Sequence, residues 1–212
     1  MTDLAVTCDT TLAPALKQAA AAYKARTSVR VFVFPTGPGL IVPQLVRDIQ
    51  NDIVVTQTSI LDQAVAAGAI ARPVRAQWRN DLVIAGPQGL AILDRTFAAP
   101  DPTPACDFDG PALLARLAIK PSRIVGAVDT DEVAFLLNTG EAEAGFLHLT
   151  DVRAHARLAT IRPVPPDIQP PFRYGAAVTR LARRPNPQGF VDFLASPEGA
   201  AVLIAAGLEL AT

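Results

Sequence analysis

Leu4-Ala5-Val6-Thr7-Cys8-Asp9-Thr10-Thr11-Leu12 reads as an apolar strand that stops at a polar turn and passes at once into a helix. Beyond Leu12, Leu16, Ala20 and Tyr23 recur at helical spacing among Lys17, Gln18 and Lys24, and Pro14 falls in the first turn, where its missing N–H costs little. Thr10 or Thr11 is the expected N-cap. Working outward, Val29 to Phe34 is a second strand, broken by Pro35-Thr36-Gly37-Pro38-Gly39. A helix follows with Ile41, Leu45 and Ile49 on one face. Ile53-Val54-Val55 is a third, short strand, and Ser59 is the expected cap of a helix ending at Gly68. Strands alternating with helices predict right-handed βαβ units and a mainly parallel sheet flanked by helices.

In such sheets ligands gather at the carboxyl ends of the strands. Here those ends are Thr7 to Thr11, Thr36 to Gly39, and Thr56 to Ser59, each rich in hydroxyls or glycine. All lead into helix N-termini, whose N–H groups and dipole favour a negative group. Thr10, Thr11, Gly39 and Thr56 are therefore candidate ligand contacts, with caps and turns as the plain alternative.

The pattern restarts at Asn80. Leu82 to Ala85 is a strand, Ala98 to Pro111 reads as an irregular connection, and Gly110-Pro111 opens a short helix. After a strand from Ile124 to Val128, Asp129 and Glu132 form a capping-box-like helix start next to Thr130, and Gly140 ends that helix. Ala144 to Leu147 is a strand closing at His148, Thr150-Asp151 is expected to cap a short helix, and His155 is expected to be exposed on it. Leu158 to Val164 and Tyr174 to Val178 are the remaining strands. Two C-terminal helices follow, the second opened by Ser196-Pro197-Glu198.

Composition narrows the function. The 212 residues are half apolar, with 19 basic and 20 acidic side chains and a formal charge of −1, so no electrostatic footprint for nucleic acid or an acidic membrane is present. No apolar run reaches the ~20 residues that cross a bilayer. The chain shows no Gly-x-Ser-x-Gly, phosphate-loop, His-Glu-x-x-His or Cys-x-x-Cys pattern, so no catalytic residue, metal site or cofactor is assigned. Cys8 and Cys106 are expected to be unpaired.

Several stretches resemble the periplasmic molybdate-binding proteins of ABC uptake systems, within the type II solute-binding proteins. They are Leu4 to Tyr23 (LAVTCDTTLAPALKQAAAAY), Phe34 to Asp48 (FPTGPGLIVPQLVRD), Asn51 to Thr56 (NDIVVT), Asn80 to Gly86 (NDLVIAG), Thr139 to Asp151 (TGEAEAGFLHLTD) and Gly189 to Gly199 (GFVDFLASPEG). The resemblance implies an α/β fold of two lobes, 1–79 with 176–212 and 80–175, joined by hinge strands near 80–82 and 174–176. It implies a small anion held between them by hydroxyls and backbone N–H groups, an ABC permease as partner, a monomer, and a periplasmic location. Trp78, just before the first hinge, is expected to pack between the lobes.

Carried over residue by residue, the family's first-loop serine falls on Thr11. Its second-loop serine falls on Pro38, which offers neither a hydroxyl nor an N–H. The second-lobe tyrosine falls on His148, a titratable imidazole. Thr130 and His148 thus join the candidate contacts, with Asp9, Pro38 and Tyr174 as further ones. These departures leave open a member that has lost oxyanion binding and binds a metal ion or a small organic acid, through His148, Asp9 and Cys8, or a protein partner; a cytoplasmic sensor with the same fold is a separate alternative.

Overall fold

The computed structural model describes residues 3–47, 51–70, 77–89 and 95–211. In chain order the elements are β1 (Asp3–Asp9), a 3-10 turn (Thr10–Leu12), α1 (Ala13–Thr27), β2 (Arg30–Thr36), α2 (Pro38–Val46), β3 (Ile53–Gln57), α3 (Thr58–Ala66) and β4 (Trp78–Arg79). Next come β5 (Leu82–Pro87), β6 (Thr96–Pro100), α4 (Gly110–Arg116), β7 (Arg123–Ala127), α5 (Thr130–Thr139), β8 (Ala144–His148), α6 (Leu149–Ala154) and β9 (Leu158–Pro163). The chain finishes with β10 (Arg173–Val178), α7 (Pro187–Ala195), α8 (Pro197–Ala205) and β11 (Glu209–Leu210). It divides into two compact units, Met1–Arg79 with Phe172–Thr212, and Asn80–Pro171.

In the first unit the strands are ordered β11-β4-β10-β3-β1-β2. β1 runs parallel to β2 and β3, whereas β10 is antiparallel to β3 and β4, which makes the sheet mixed. The connections from β1 to β2 and from β2 to β3 run in opposite directions along the sheet, so right-handed crossovers put α1 and α2 on opposite faces. On one face Ile41 and Leu45 of α2 and Ile60, Leu61 and Ala64 of α3 pack on Val54 and Ala177. On the other α1 meets α7 and α8, where the Tyr23 ring lies 5.2 Å from Phe190 and 5.3 Å from Phe193. Ile49, expected on the α2 face, lies outside the described residues. β2 is an edge strand, which explains how Pro35 is accommodated in it.

Asp52 ties this unit together. Its carboxylate accepts from the Ala5 N–H (2.8 Å), the Arg183 and Arg184 N–H groups (3.2 and 3.3 Å) and the Arg184 guanidinium (3.0 Å). A buried charge so fully hydrogen-bonded is tolerated where a bare one would not be.

In the second unit the order is β7-β6-β8-β5-β9, with β6 parallel to β7 and β8, and β5 antiparallel to β8 and β9. The expected irregular connection from Ala98 is corrected here: Thr96–Pro100 is a strand, and Phe97, Ala98, Ala99 and Pro100 are buried. A strand covered on both faces carries no polar alternation, so its apolar half was obscured by the prolines and aspartates that follow.

Several expected caps also move. The turn before α1 begins at Asp9, and neither Thr10 nor Thr11 caps the helix through its side chain. Gln57, not Ser59, precedes α3. His148 occupies the N-cap position of α6, and Asp151 serves it from the third helical position, its Oδ2 accepting from the His148 N–H at 3.0 Å. His155 follows the end of α6, half-buried, with Nδ1 3.4 Å from Asn138 Nδ2. Trp78 is a buried member of the first unit's sheet, opposite Tyr174 and Leu210.

Candidate functional site

The carboxyl ends of β1, β2 and β3 lie side by side in the first unit, and each runs directly into a helical turn. No side chain caps the turn that starts after Asp9, α2 after Gly37, or α3 after Gln57. Four other helices are capped by a side chain, Asp109 on α4, Asp129 on α5, Asn186 on α7 and Ser196 on α8, each accepting from a first-turn N–H. Uncapped helix starts gathered on one sheet edge present partial positive charge there.

Thr10 and Thr11 are half-buried on the turn after β1. Pro38 is the first residue of α2, and Gly39, exposed, follows it. Thr56 is fully buried, and its hydroxyl donates to Asp9 Oδ1 at 2.8 Å. Asp9 is itself only 2% exposed. Thr7 pairs with Val54 across the parallel ladder, so two residues further on Asp9 and Thr56 stand together on the α2 and α3 face.

Cys8 points to the opposite face of β1 from Asp9. It is fully buried, and desolvation pushes its thiol well above the usual range. A site in which Cys8 joins Asp9 is thereby corrected. Cys106 is also a free thiol, pushed up to about 12 by burial. Among the described residues no group of three or more His, Cys, Asp or Glu side chains is placed to hold a metal ion.

In the second unit His148 ends β8, fully buried, with Nδ1 3.0 Å from the Asn80 carbonyl oxygen. A carbonyl only accepts, so Nδ1 carries the proton and Nε2 is the acceptor nitrogen. Burial pushes the imidazole down to about 4, against the opposing Asn80 hydrogen bond, which keeps it neutral. The edge of Phe108 approaches the ring, with centroids 6.1 Å apart. Next to it the Asn80 amide donates to Thr150 Oγ1 at 2.8 Å, and Thr130 hydrogen-bonds Asp151. Burial pushes Asp151 up to about 8, and Asp131 and Asp129 add to this while the His148 N–H and Thr130 oppose it. Thr130 and His148 thus belong to one buried polar cluster. Tyr174 lies in the first unit, buried in β10 opposite Gln57 and Trp78.

Sequence reasoning named Asp9, Thr56 and Asp151 but missed the hydrogen bond that joins Asp9 to Thr56 and gave Asn80 no part. A signal existed: Asn-Asp stands immediately before an apolar strand twice, at Asn51-Asp52 and Asn80-Asp81.

The fold is thus two mixed sheets flanked by helices, with three helix starts gathered on one edge of the first sheet. A family model for bacterial extracellular solute-binding proteins matches residues 4–209, and the chain belongs to that family. Among solved structures it is similar to the periplasmic molybdate-binding protein of Azotobacter vinelandii, with 19% identity, a TM-score of 0.83, and 99% of this chain and 100% of that one covered. It is also similar to the sulfate-binding protein SubI of Mycobacterium tuberculosis H37Rv (12% identity, TM-score 0.72, covering 99% and 87%). A third is Peb3 of Campylobacter jejuni (17% identity, TM-score 0.70, covering 98% and 99%). A search of curated protein sequences finds no match. The family and the shared fold agree with the resemblance drawn from the sequence.

Proposed function

We propose that this protein binds a small anion at the carboxyl ends of β1, β2 and β3 and hands it to an ABC permease from the periplasm. The observation that carries the reading is the contrast in capping. The helical turns after β1, β2 and β3 have no side-chain cap, whereas α4, α5, α7 and α8 all have one. The leading N–H groups on that edge suit an anion, with Thr10, Thr11 and Gly39 as the nearest donors. Pro38, the first residue of α2, removes one N–H from the set. The names of two similar structures, a molybdate binder and a sulfate binder, point to the same chemical class.

Thermal unfolding with and without molybdate, sulfate and phosphate tests the reading. A ligand at 100 times its dissociation constant adds about 2.7 kcal/mol to stability, a rise of several degrees. At least one of the three is expected to raise the melting temperature. A melting curve unmoved by all three at millimolar concentration removes the small-anion reading.

A further inference from the structure

We infer that the open lateral edge of β2 is a docking strand for a partner protein, and that it takes an extended segment with carboxylates on one face and apolar side chains on the other. The inference is independent of the small-anion reading, because it concerns the side of the first sheet and not the ends of its strands. Ala5 directs its N–H to Asp52 Oδ2 and its C=O to the Asp52 N–H, both on the β3 side of β1. Leu4, Val6 and Cys8 therefore turn theirs toward β2, where Phe32 and Phe34 meet them, and Val31, Val33 and Pro35 turn their backbone groups outward. Val31 and Val33 each offer an N–H and a C=O, and Pro35 offers a C=O alone.

Edge strands are ordinarily blunted by charge, by a bulge or by a covering element, since bare pairing groups recruit other chains. β2 runs for seven residues in unbroken register with β1, and although Pro35 blunts its far end, Val31-Phe32-Val33-Phe34 carries no charge. Phe32 is 45% and Phe34 50% exposed, on the same side as Thr36, which hydrogen-bonds Gln44 of α2. The other side differs. There Val31 and Val33, with Lys17 and Lys24 of α1, line an open groove of about 370 Å³. Among the described residues neither lysine is in an ion pair, whereas Arg30 is engaged by Asp3. A strand added to β2 sets its side chains level with those of β2, so carboxylates on the α1 side reach the lysines while apolar groups on the other side cover Phe32 and Phe34. A second copy of this chain is disfavoured there. Antiparallel pairing of β2 with β2 keeps both α1 helices on one face and brings Lys17 and Lys24 of the two copies together, like against like.

Fluorescence polarisation of the full chain with fluorescein-labelled Glu-Val-Glu-Val-Glu-Val-Glu-amide tests this. Saturable binding is expected, about tenfold or more tighter than for the same peptide with lysine in place of glutamate, and lost when every residue of the peptide is N-methylated. In a Lys17→Glu, Lys24→Glu double variant, changed at two exposed positions, the preference between the two peptides is expected to reverse with the circular dichroism unchanged. No saturation at millimolar concentration overturns the proposal. Equal binding of the acidic and basic peptides does so too, as does an N-methylated peptide that binds as tightly as its parent. A dimer in sedimentation that excludes the acidic peptide puts a second copy on the edge and likewise overturns it.

Discussion

Asp151 and His148 are neighbours whose burial pushes their ionisation in opposite directions on the pH scale, up to about 8 for the carboxyl and down to about 4 for the imidazole. Each favours its neutral form, but the effects on stability have opposite slopes. A depressed histidine contributes stability that is present above pH 6.5 and lost as the pH falls through its folded value. A raised carboxyl contributes stability that is present below pH 3.8 and lost as the pH rises through its folded value. Between about pH 4 and 6.5 the two offset each other, and from there to about pH 8 the Asp151 loss stands alone. Asp151→Asn, which retains an oxygen for the His148 N–H, is expected to raise the melting temperature by at least about 2 °C at pH 8 relative to its effect at pH 5. Equal shifts at both pH values refute the assignment. The sequence alone picked out His148 through its strand-end position and its match to a family tyrosine. It did not disclose Asn80 as its partner, because that contact spans 68 residues and no local pattern encodes it.

At the scale of elements, local chemistry was the most readable part of the chain. Asp129 was recognised as a helix start because a short acceptor followed by Glu132 is sufficient in itself, and both side chains do take up backbone N–H groups there. Gly140 ends α5 with φ 81°, as a left-handed terminus requires. The three strand ends proposed for binding were readable as turns that lead into helices; that no N-cap side chain closes those helices was not, since an unused cap leaves no mark in the sequence. The two most specific family-like stretches, Gly140 to Gly145 and Phe193 to Glu198, each run up to a glycine held by packing. A Cβ on Gly145 would lie 2.6 Å from Val133 Cγ1, and one on Gly199 would lie 2.0 Å from the Phe193 carbonyl oxygen. These stretches therefore record how helices pack on their neighbours more than how a ligand is held. Gly199→Ala is expected to cost about 2 to 3 kcal/mol, because the obstacle is backbone and cannot swing aside. Chemical denaturation giving less than about 0.5 kcal/mol counts against that packing account.

For the whole molecule, the alternation of strands and helices was enough for two α/β units, and six spread-out stretches were enough for the family. The mixed character of the sheets was harder to see. β10 and β11 reach the first sheet from the far end of the sequence, and strand direction follows from connectivity, not composition. Arg184 shows how strongly that return matters. Its guanidinium meets the buried Asp52 carboxylate while remaining about one-third exposed itself, and three backbone N–H groups remain on Asp52 without it. Arg184→Ala is accordingly expected to cost about 1 to 3 kcal/mol, below the cost of breaking a fully buried pair. Urea unfolding checks this, and an unchanged midpoint contradicts it.

The Asp52 anchor also imposes an order in time. During synthesis β1, β2 and β3 leave the ribosome more than 100 residues before β10 and Arg184, so Asp52 must wait for the donors that make its burial tolerable. The second unit is one uninterrupted segment, Asn80–Pro171, and can assemble during that wait. The first unit is thus the last to be completed although its strands are made first, and a nascent chain halted short of residue 184 keeps its amino-terminal third open to chaperones and proteases.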